Sequence, residues 1–355
     1  MVQRKRLALI NKIEWIAIAW CLLTLVFMAL LWSRLVEPEA MLLMRGKWLF
    51  MTVLLIVLGR LWPCRLTLYA RITAQLIWLS QWYPDTYEFN RIFPNLDHVF
   101  AGLEQTIFGC QPSIHFSQLC TGIVWSELFN MGYWSYFPMI IVLVLTIFIK
   151  ELLGPSQGPS LTLPVGGRIS VGGRTPAGVP TVNSLPPTGG AGEGPFITVP
   201  SLILISFFIY YLIFIFVPVA GPQFYFQAIG LDAAASGQFP SIGTYFSSHT
   251  EMLPSPGDPD GLFCRLVASA HEAGERPTAA FPSSHVGIST IVMILARLHV
   301  PRLTWFLLPF YVLLCCATVY IQAHYLIDAI AGLITAPLVL ALAGWINSKF
   351  IIHNA

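Results

Sequence analysis

Phe281-Pro282-Ser283-Ser284-His285 leads into an apolar run, Val286–Leu298. A short basic turn follows, Arg297-Leu298-His299-Val300-Pro301-Arg302. A second apolar run, Leu303–Ile321, then ends at His324-Tyr325-Leu326-Ile327-Asp328. Two apolar runs joined by a tight turn form an out-and-back helical hairpin. Its open end therefore brings both polar signatures to one face. That reading fixes the fold class, because the rest of the chain repeats the same apolar character.

Of 355 residues, 56% are hydrophobic and 10% charged, with a mean hydropathy of +0.70. Soluble domains carry about 25% charged residues, so this chain has too little polar surface to cover a globule. It reads as an all-α, polytopic integral membrane protein. The basic residues are scattered, not gathered into a stripe, which argues against nucleic acid as a partner. The seven cysteines show no metal-ligand spacing. Cys110, Cys120 and Cys264 fall in polar segments and could supply at most one disulfide.

Crossing the hydrocarbon takes about 20 apolar residues. Clear candidates are Ile13–Trp32, Trp48–Leu61, Tyr136–Ile149, Phe196–Val217, Val286–Leu298, Leu303–Ile321 and Leu326–Ile346. Leu66–Trp82 is weaker, since it contains Arg71 and other polar groups. Ile13–Trp32 follows a basic start but is too long for a signal-peptide core, so it reads as a retained span. Counting the weak segment gives about eight spans with both termini in the cytoplasm. Twelve basic residues then lie inside (Arg4, Lys5, Arg6, Lys12, Arg60, Arg65, Lys150, Arg168, Arg174, Arg297, Arg302, Lys349) and six outside (Arg34, Arg45, Lys47, Arg91, Arg265, Arg276). This is the asymmetry that orients membrane proteins. The expected organisation is an N-terminal helix pair, 1–65, and a second membrane domain, 66–350. A Gly/Pro-rich stretch at 154–195 reads as a flexible cytoplasmic linker. Tyr83–Ser135 and Pro218–Ser284 are expected outside, with short helices on or in the outer leaflet.

The hairpin's open end carries the chemistry. Proline suits the first position of a helix. Ser283, Ser284 and the free N–H groups of that first turn make a site for phosphate oxygens. His285 is placed to protonate a leaving oxygen. His324 and Asp328 are four apart and share a helix face. A carboxylate bonded to one imidazole nitrogen would leave the other free as a nucleophile. Taken singly, each signature also fits a helix cap with an interfacial histidine. Together they converge two histidines, two serines and an aspartate at one face.

These residues resemble the type 2 phosphatidic acid phosphatase superfamily. Pro282–His285 matches its Pro-Ser-x-His motif, and His324–Asp328 its His-x-x-x-Asp motif. The resemblance covers roughly Leu66–Ile346 as a six-helix core, preceded by two extra spans. It implies that His324 attacks phosphorus to form a phosphohistidine, that Asp328 orients His324, and that His285 protonates the departing oxygen and later activates the acceptor. Ser283, Ser284 and nearby amides would hold the phosphate. Two family cations are missing. Ala317 and Thr318 stand where Ser-Arg is usual, and Arg276-Pro277 keeps only the end of Lys-x6-Arg-Pro, with Ser269 at the lysine position. Arg276 and Arg265 are the candidate replacements for binding phosphate. The losses resemble the inositol phosphotransferase branch that includes inositol phosphorylceramide synthases. Pro218-Val-Ala-Gly-Pro-Gln-Phe-Tyr225 is similar to its bacterial members, as more loosely is the Asn95-Leu-Asp97 and Phe108–Pro112 region.

The expected function is a membrane-embedded lipid phosphatase or phosphotransferase with a phosphorylated lipid as partner. Water or an alcohol would be the acceptor. Neither a metal nor a cofactor is implied. The resemblance to bacterial members implies the inner membrane with a periplasmic site. The alternatives from other classes are an inactive membrane protein and a transporter. A transporter would need polar groups or broken helices near mid-bilayer, and Arg71 is the conspicuous one.

Overall fold

The computed structural model describes residues 10–153 and 194–350. Within them the chain forms fifteen α-helices: α1 Lys12–Leu31, α2 Pro38–Leu61, α3 Arg65–Ile77, α4 Leu79–Asn90, α5 Asp97–Phe108, α6 Pro112–Leu119, α7 Ile123–Trp134, α8 Tyr136–Leu153, α9 Pro195–Phe216, α10 Pro222–Ile229, α11 Leu231–Ala235, α12 Leu262–Gly274, α13 Ser284–His299, α14 Pro301–Tyr320 and α15 Leu326–Lys349. The residues 154–193 of the expected linker lie outside the described residues, as do Arg4, Lys5, Arg6, Arg168 and Arg174. All seven cysteines are free thiols.

Among the described residues six helices are long and apolar enough to cross a membrane: α1, α2, α8, α9, α14 and α15. Ser284–His299 is a shorter apolar helix. The protein is thus a polytopic, all-helical membrane protein. Helix α2 begins ten residues before the expected Trp48 start, because Pro38 opens the helix and carries it through the charged segment around Arg45. That charge is neutralised by Asp85 of α4, whose carboxylate is 3.0 Å from the guanidinium.

The weak span resolves into α3 and α4, which follow each other through Trp78. Its polar groups are consumed internally. Arg71 donates to Glu14 of α1 at 2.8 and 2.6 Å, with both side chains buried. Gln75 accepts from the Trp48 indole at 2.8 Å and donates to Thr52 at 3.2 Å. In an apolar medium an unpaired group of this kind is costly. The pairing explains how the polar residues of Leu66–Trp82 are accommodated in the bundle.

Helix α9 is the axis of the bundle, with 78% of its most apolar window buried against 22–39% for the other five long helices. It packs on α1, α3, α4, α8, α13 and α15. Trp20 stacks on Phe208 at 4.5 Å, which docks α1 onto it. Helices α13 and α15 meet where Gly332 passes Ser283. A Cβ there would lie 2.5 Å from the Ser283 carbonyl, so only glycine permits this approach.

The bundle has two distinct ends. At one, Arg65 donates to the Glu151 carbonyl at 2.8 Å and Lys150 to the His299 carbonyl at 3.1 Å. These bonds gather the α2–α3 turn, the end of α8 and the α13–α14 turn. At the other end, α5–α7 and α10–α12 cover the tops of α13–α15. The segment after α9 is pinned there. Gly221 has φ +94°, and a Cβ on it would sit 2.5 Å from the Ala323 carbonyl. Gly221→Ala is therefore expected to cost at least about 1–3 kcal/mol from backbone strain alone. Thermal unfolding in detergent checks this, and an unchanged midpoint would contradict it.

Candidate active site

The hairpin brings the two signatures together. Ser283 caps α13, its hydroxyl accepting from Val286 N at 3.4 Å. Its own N–H donates to the Asp328 carbonyl at 3.0 Å, which joins the start of α13 to the start of α15. The histidine that ends the first motif meets the one that begins the second: His324 Nε2 lies 3.3 Å from His285 Nδ1. His324 is 3% exposed.

The orientation of His324 differs from the sequence expectation. Its Nδ1 is 2.9 Å from the Ala280 carbonyl and 3.8 Å from Asp328 Oδ2. The carbonyl, not the carboxylate, is the hydrogen-bond partner. Asp328 is occupied elsewhere: as the third residue of α15 its Oδ2 accepts from Tyr325 N at 2.9 Å. A carbonyl can only accept, so Nδ1 carries the proton and Nε2 presents its lone pair toward His285. Burial pushes the His324 imidazolium down to about 4, against the opposing pull of the Ala280 carbonyl and Glu275. The ring is neutral near pH 7, so Nε2 carries a lone pair.

Aromatic rings enclose the second histidine. Tyr133 stacks on His285 at 4.6 Å and Tyr136 lies against it at 4.4 Å. His271 meets the edge of Tyr133 at 5.7 Å. Glu275 accepts from the Tyr83 phenol at 3.2 Å. Burial pushes its carboxyl up to about 7, opposed by Tyr83, His324 and Arg276.

The proposed phosphate ligands fall into two groups. Ser283 and Ser284 stand at the start of α13 beside His285. Arg276 instead donates to the Glu275 carbonyl at 2.8 Å, and Arg265 is exposed on α12. Neither guanidinium hydrogen-bonds His285 or His324. At the position where the family arginine is usual, Thr318 is buried. Its hydroxyl donates to the Cys315 carbonyl at 2.9 Å, and its own carbonyl accepts from His324 N at 3.0 Å. Among the described residues no group of three His, Cys, Asp or Glu side chains converges as a metal site.

Backbone strain is concentrated beside the histidines. Ala279 (φ +67°) precedes the orienting carbonyl and Gln322 (φ +63°) precedes His324 by two residues. Left-handed residues other than glycine cost about 1–3 kcal/mol each and persist where the surroundings impose them.

Residues distant in sequence complete the setting. Glu104 of α5 accepts from Leu326 N at 2.6 Å and Ile327 N at 3.3 Å, capping α15 from outside. Burial outweighs these bonds and raises its carboxyl to about 8. A carboxyl raised in the folded state binds a proton that the unfolded chain has released, so stability falls as pH rises from about 4.5 to about 8. Glu104→Gln is expected to flatten that dependence, measured as unfolding midpoint against pH. An unaltered slope would contradict the assignment.

Residues 196–342 match the family model of the PAP2 superfamily. No curated protein and no solved structure matches the chain. The matched stretch begins later than the Leu66 start inferred from the motifs, but it holds His285, His324 and Asp328, the serines and both arginines. It supports placing this chain, through that segment, in the type 2 phosphatidic acid phosphatase superfamily.

Proposed function

We propose that the protein is a lipid phosphatase or phosphotransferase that works through a phosphohistidine on His324. The observation that carries this reading is the His324 Nε2 to His285 Nδ1 approach of 3.3 Å, with His324 Nδ1 tied to a carbonyl. In the first step the Nε2 lone pair attacks phosphorus and the phosphorus–oxygen bond to the lipid breaks. His285, protonated beside the anionic phosphate, gives its proton to the leaving oxygen. In the second step His285 takes a proton from the acceptor, whose oxygen attacks phosphorus as the phosphorus–nitrogen bond breaks. Substrate must part the two imidazoles to enter between them. Ser283, Ser284 and the first amides of α13 hold the phosphate, with Arg276 or Arg265 reaching it once substrate is bound. Asp328 acts by fixing Tyr325, next to the nucleophile.

A lipid substrate is supported by an apolar groove of about 310 Å³ between α3–α4, α8 and α9. Its Phe207 lies 6.3 Å from Tyr136, which in turn flanks His285. The enclosure of His285 by Tyr133 and Tyr136 favours an alcohol acceptor over bulk water, as in inositol phosphorylceramide synthase-like transfer. The N-terminal pair 1–65 then flanks a catalytic membrane domain 66–350, and the basic end of the bundle faces the cytoplasm. The site opens at the periplasmic face of a bacterial inner membrane.

The test uses the full chain in detergent with phosphatidic acid and polyprenyl pyrophosphate, each with and without an alcohol acceptor. Release of phosphate, or its transfer to the alcohol, is expected. No turnover of any phosphorylated lipid would sink the reading. Single cysteines placed in 218–284 should label from outside intact cells. Labelling only after permeabilisation would reverse the orientation.

A further inference from the structure

The segment that orients His324 is not self-supporting. Ala280, whose carbonyl takes the imidazole proton, is held through its own N–H, which donates to the Val219 carbonyl at 3.0 Å. Val219 belongs to the loop after α9, and that loop converges on one buried carboxylate. Asp97 Oδ2 accepts from Ala220 N at 2.6 Å, and Oδ1 from Gly221 N at 2.8 Å. Oδ1 also accepts from the Tyr325 phenol at 3.0 Å, and Oδ2 from the Asn95 amide. Tyr325 directly follows the nucleophile and is fully buried. Two further backbone bonds close the frame: Leu96 N to the Pro218 carbonyl at 2.9 Å, and Gln223 N to the Gln322 carbonyl at 2.8 Å.

We propose that Asp97 is a positioning residue for His324. It clamps the loop behind the Ala280 carbonyl and the phenol beside the nucleophile into one rigid frame. Asp97 reaches the imidazole by two routes, each built from donors on the one carboxylate. Through Ala220, Gly221, Val219 and Ala280 it sets where the orienting carbonyl stands. Through Tyr325 it sets where the backbone carrying His324 stands. A carboxylate suits this task because it only accepts, and it meets four donors here. An amide in its place would turn an NH2 group toward two of them. That leaves buried donors facing donors, and the loop has to shift. A displacement near 1 Å at a nucleophile costs about 100-fold in rate.

This role rests on His324 being the nucleophile, so the decisive readout is chosen to be independent of turnover. The experiment compares wild type, Asp97→Asn and Tyr325→Phe as full chains in detergent with 15N-histidine labelling. Nitrogen chemical shifts report which ring nitrogen of His324 is protonated. Wild type is expected to show a single Nδ1–H form. Asp97→Asn is expected to show mixed or exchanging tautomers at His324. Tyr325→Phe, which removes one donor and leaves no buried group opposed, is expected to show a smaller shift in the same direction. In turnover assays Asp97→Asn should lower kcat roughly 30- to 100-fold with KM within twofold. If Asp97→Asn does not fold, Tyr325→Phe carries the test. Folded variants with the wild-type His324 signals would overturn the proposal. A tautomer shift in a protein that turns over no phosphorylated lipid would support the positioning role and refute the catalytic reading.

Discussion

His324→Ala is expected to abolish turnover of every substrate and to leave no covalent adduct. The reason is positional. Within the paired signatures, His324 Nε2 alone combines an unprotonated lone pair facing the other histidine, a neutral ring and a fixed tautomer. Its partner His285 presents Nδ1 as the donor in that contact. Removing a nucleophile of this kind lowers rates by roughly 10³-fold or more. Alanine also strips the Ala280 carbonyl of its donor, a loss of about 1 kcal/mol. His324→Gln separates the two effects. Its amide can still donate to Ala280 but cannot attack phosphorus. Both variants should be inactive, and the glutamine variant should unfold closer to wild type. Full activity in either would dismantle the mechanism.

The second large effect is at His285. His285→Ala is expected to slow transfer from natural lipids by about 10²–10⁴-fold, the range for loss of a general acid. The diagnostic lies in the leaving group. An alkoxide needs its proton as the phosphorus–oxygen bond breaks, whereas a nitrophenolate does not. The variant should therefore keep most of its rate on p-nitrophenyl phosphate esters while losing it on lipids. Equal losses on both would assign His285 to binding and not to proton transfer. Some general loss of stability is expected in addition, because the ring is packed between Tyr133 and Tyr136.

What could be read from the sequence divides along physical lines. Long apolar runs announce themselves, because crossing a bilayer demands them regardless of the tertiary fold. The meeting of the two signatures was legible for a similar reason: helix spacing puts His324 and Asp328 on one face, and a hairpin returns His285 to them. The partner of His324 was not legible. A backbone carbonyl such as Ala280 has no residue signature, and the helix geometry made Asp328 the natural choice. Its carboxylate instead caps the chain at Tyr325, which competes for the same oxygen. The contacts of Asp97 with Tyr325 and of Glu104 with Leu326 were out of reach because more than 200 residues separate the partners. Asp97 and Glu104 sit seven apart on one helix, a spacing that shares a face. That alone does not say what the face meets. Arg71 illustrates the converse. It weakened a helix in the sequence, and its partner Glu14 lay in plain view 57 residues before it. Nothing in the spacing linked them.

The most direct measurement is to trap the intermediate. Full-length protein would be mixed with a lipid labelled in its phosphate, quenched in alkali within the turnover time, and mapped by mass spectrometry. The account expects an acid-labile, alkali-stable phosphoramidate on His324, formed in wild type and enriched when the acceptor is withheld. Label on another residue, or turnover with no covalent adduct at all, would contradict it.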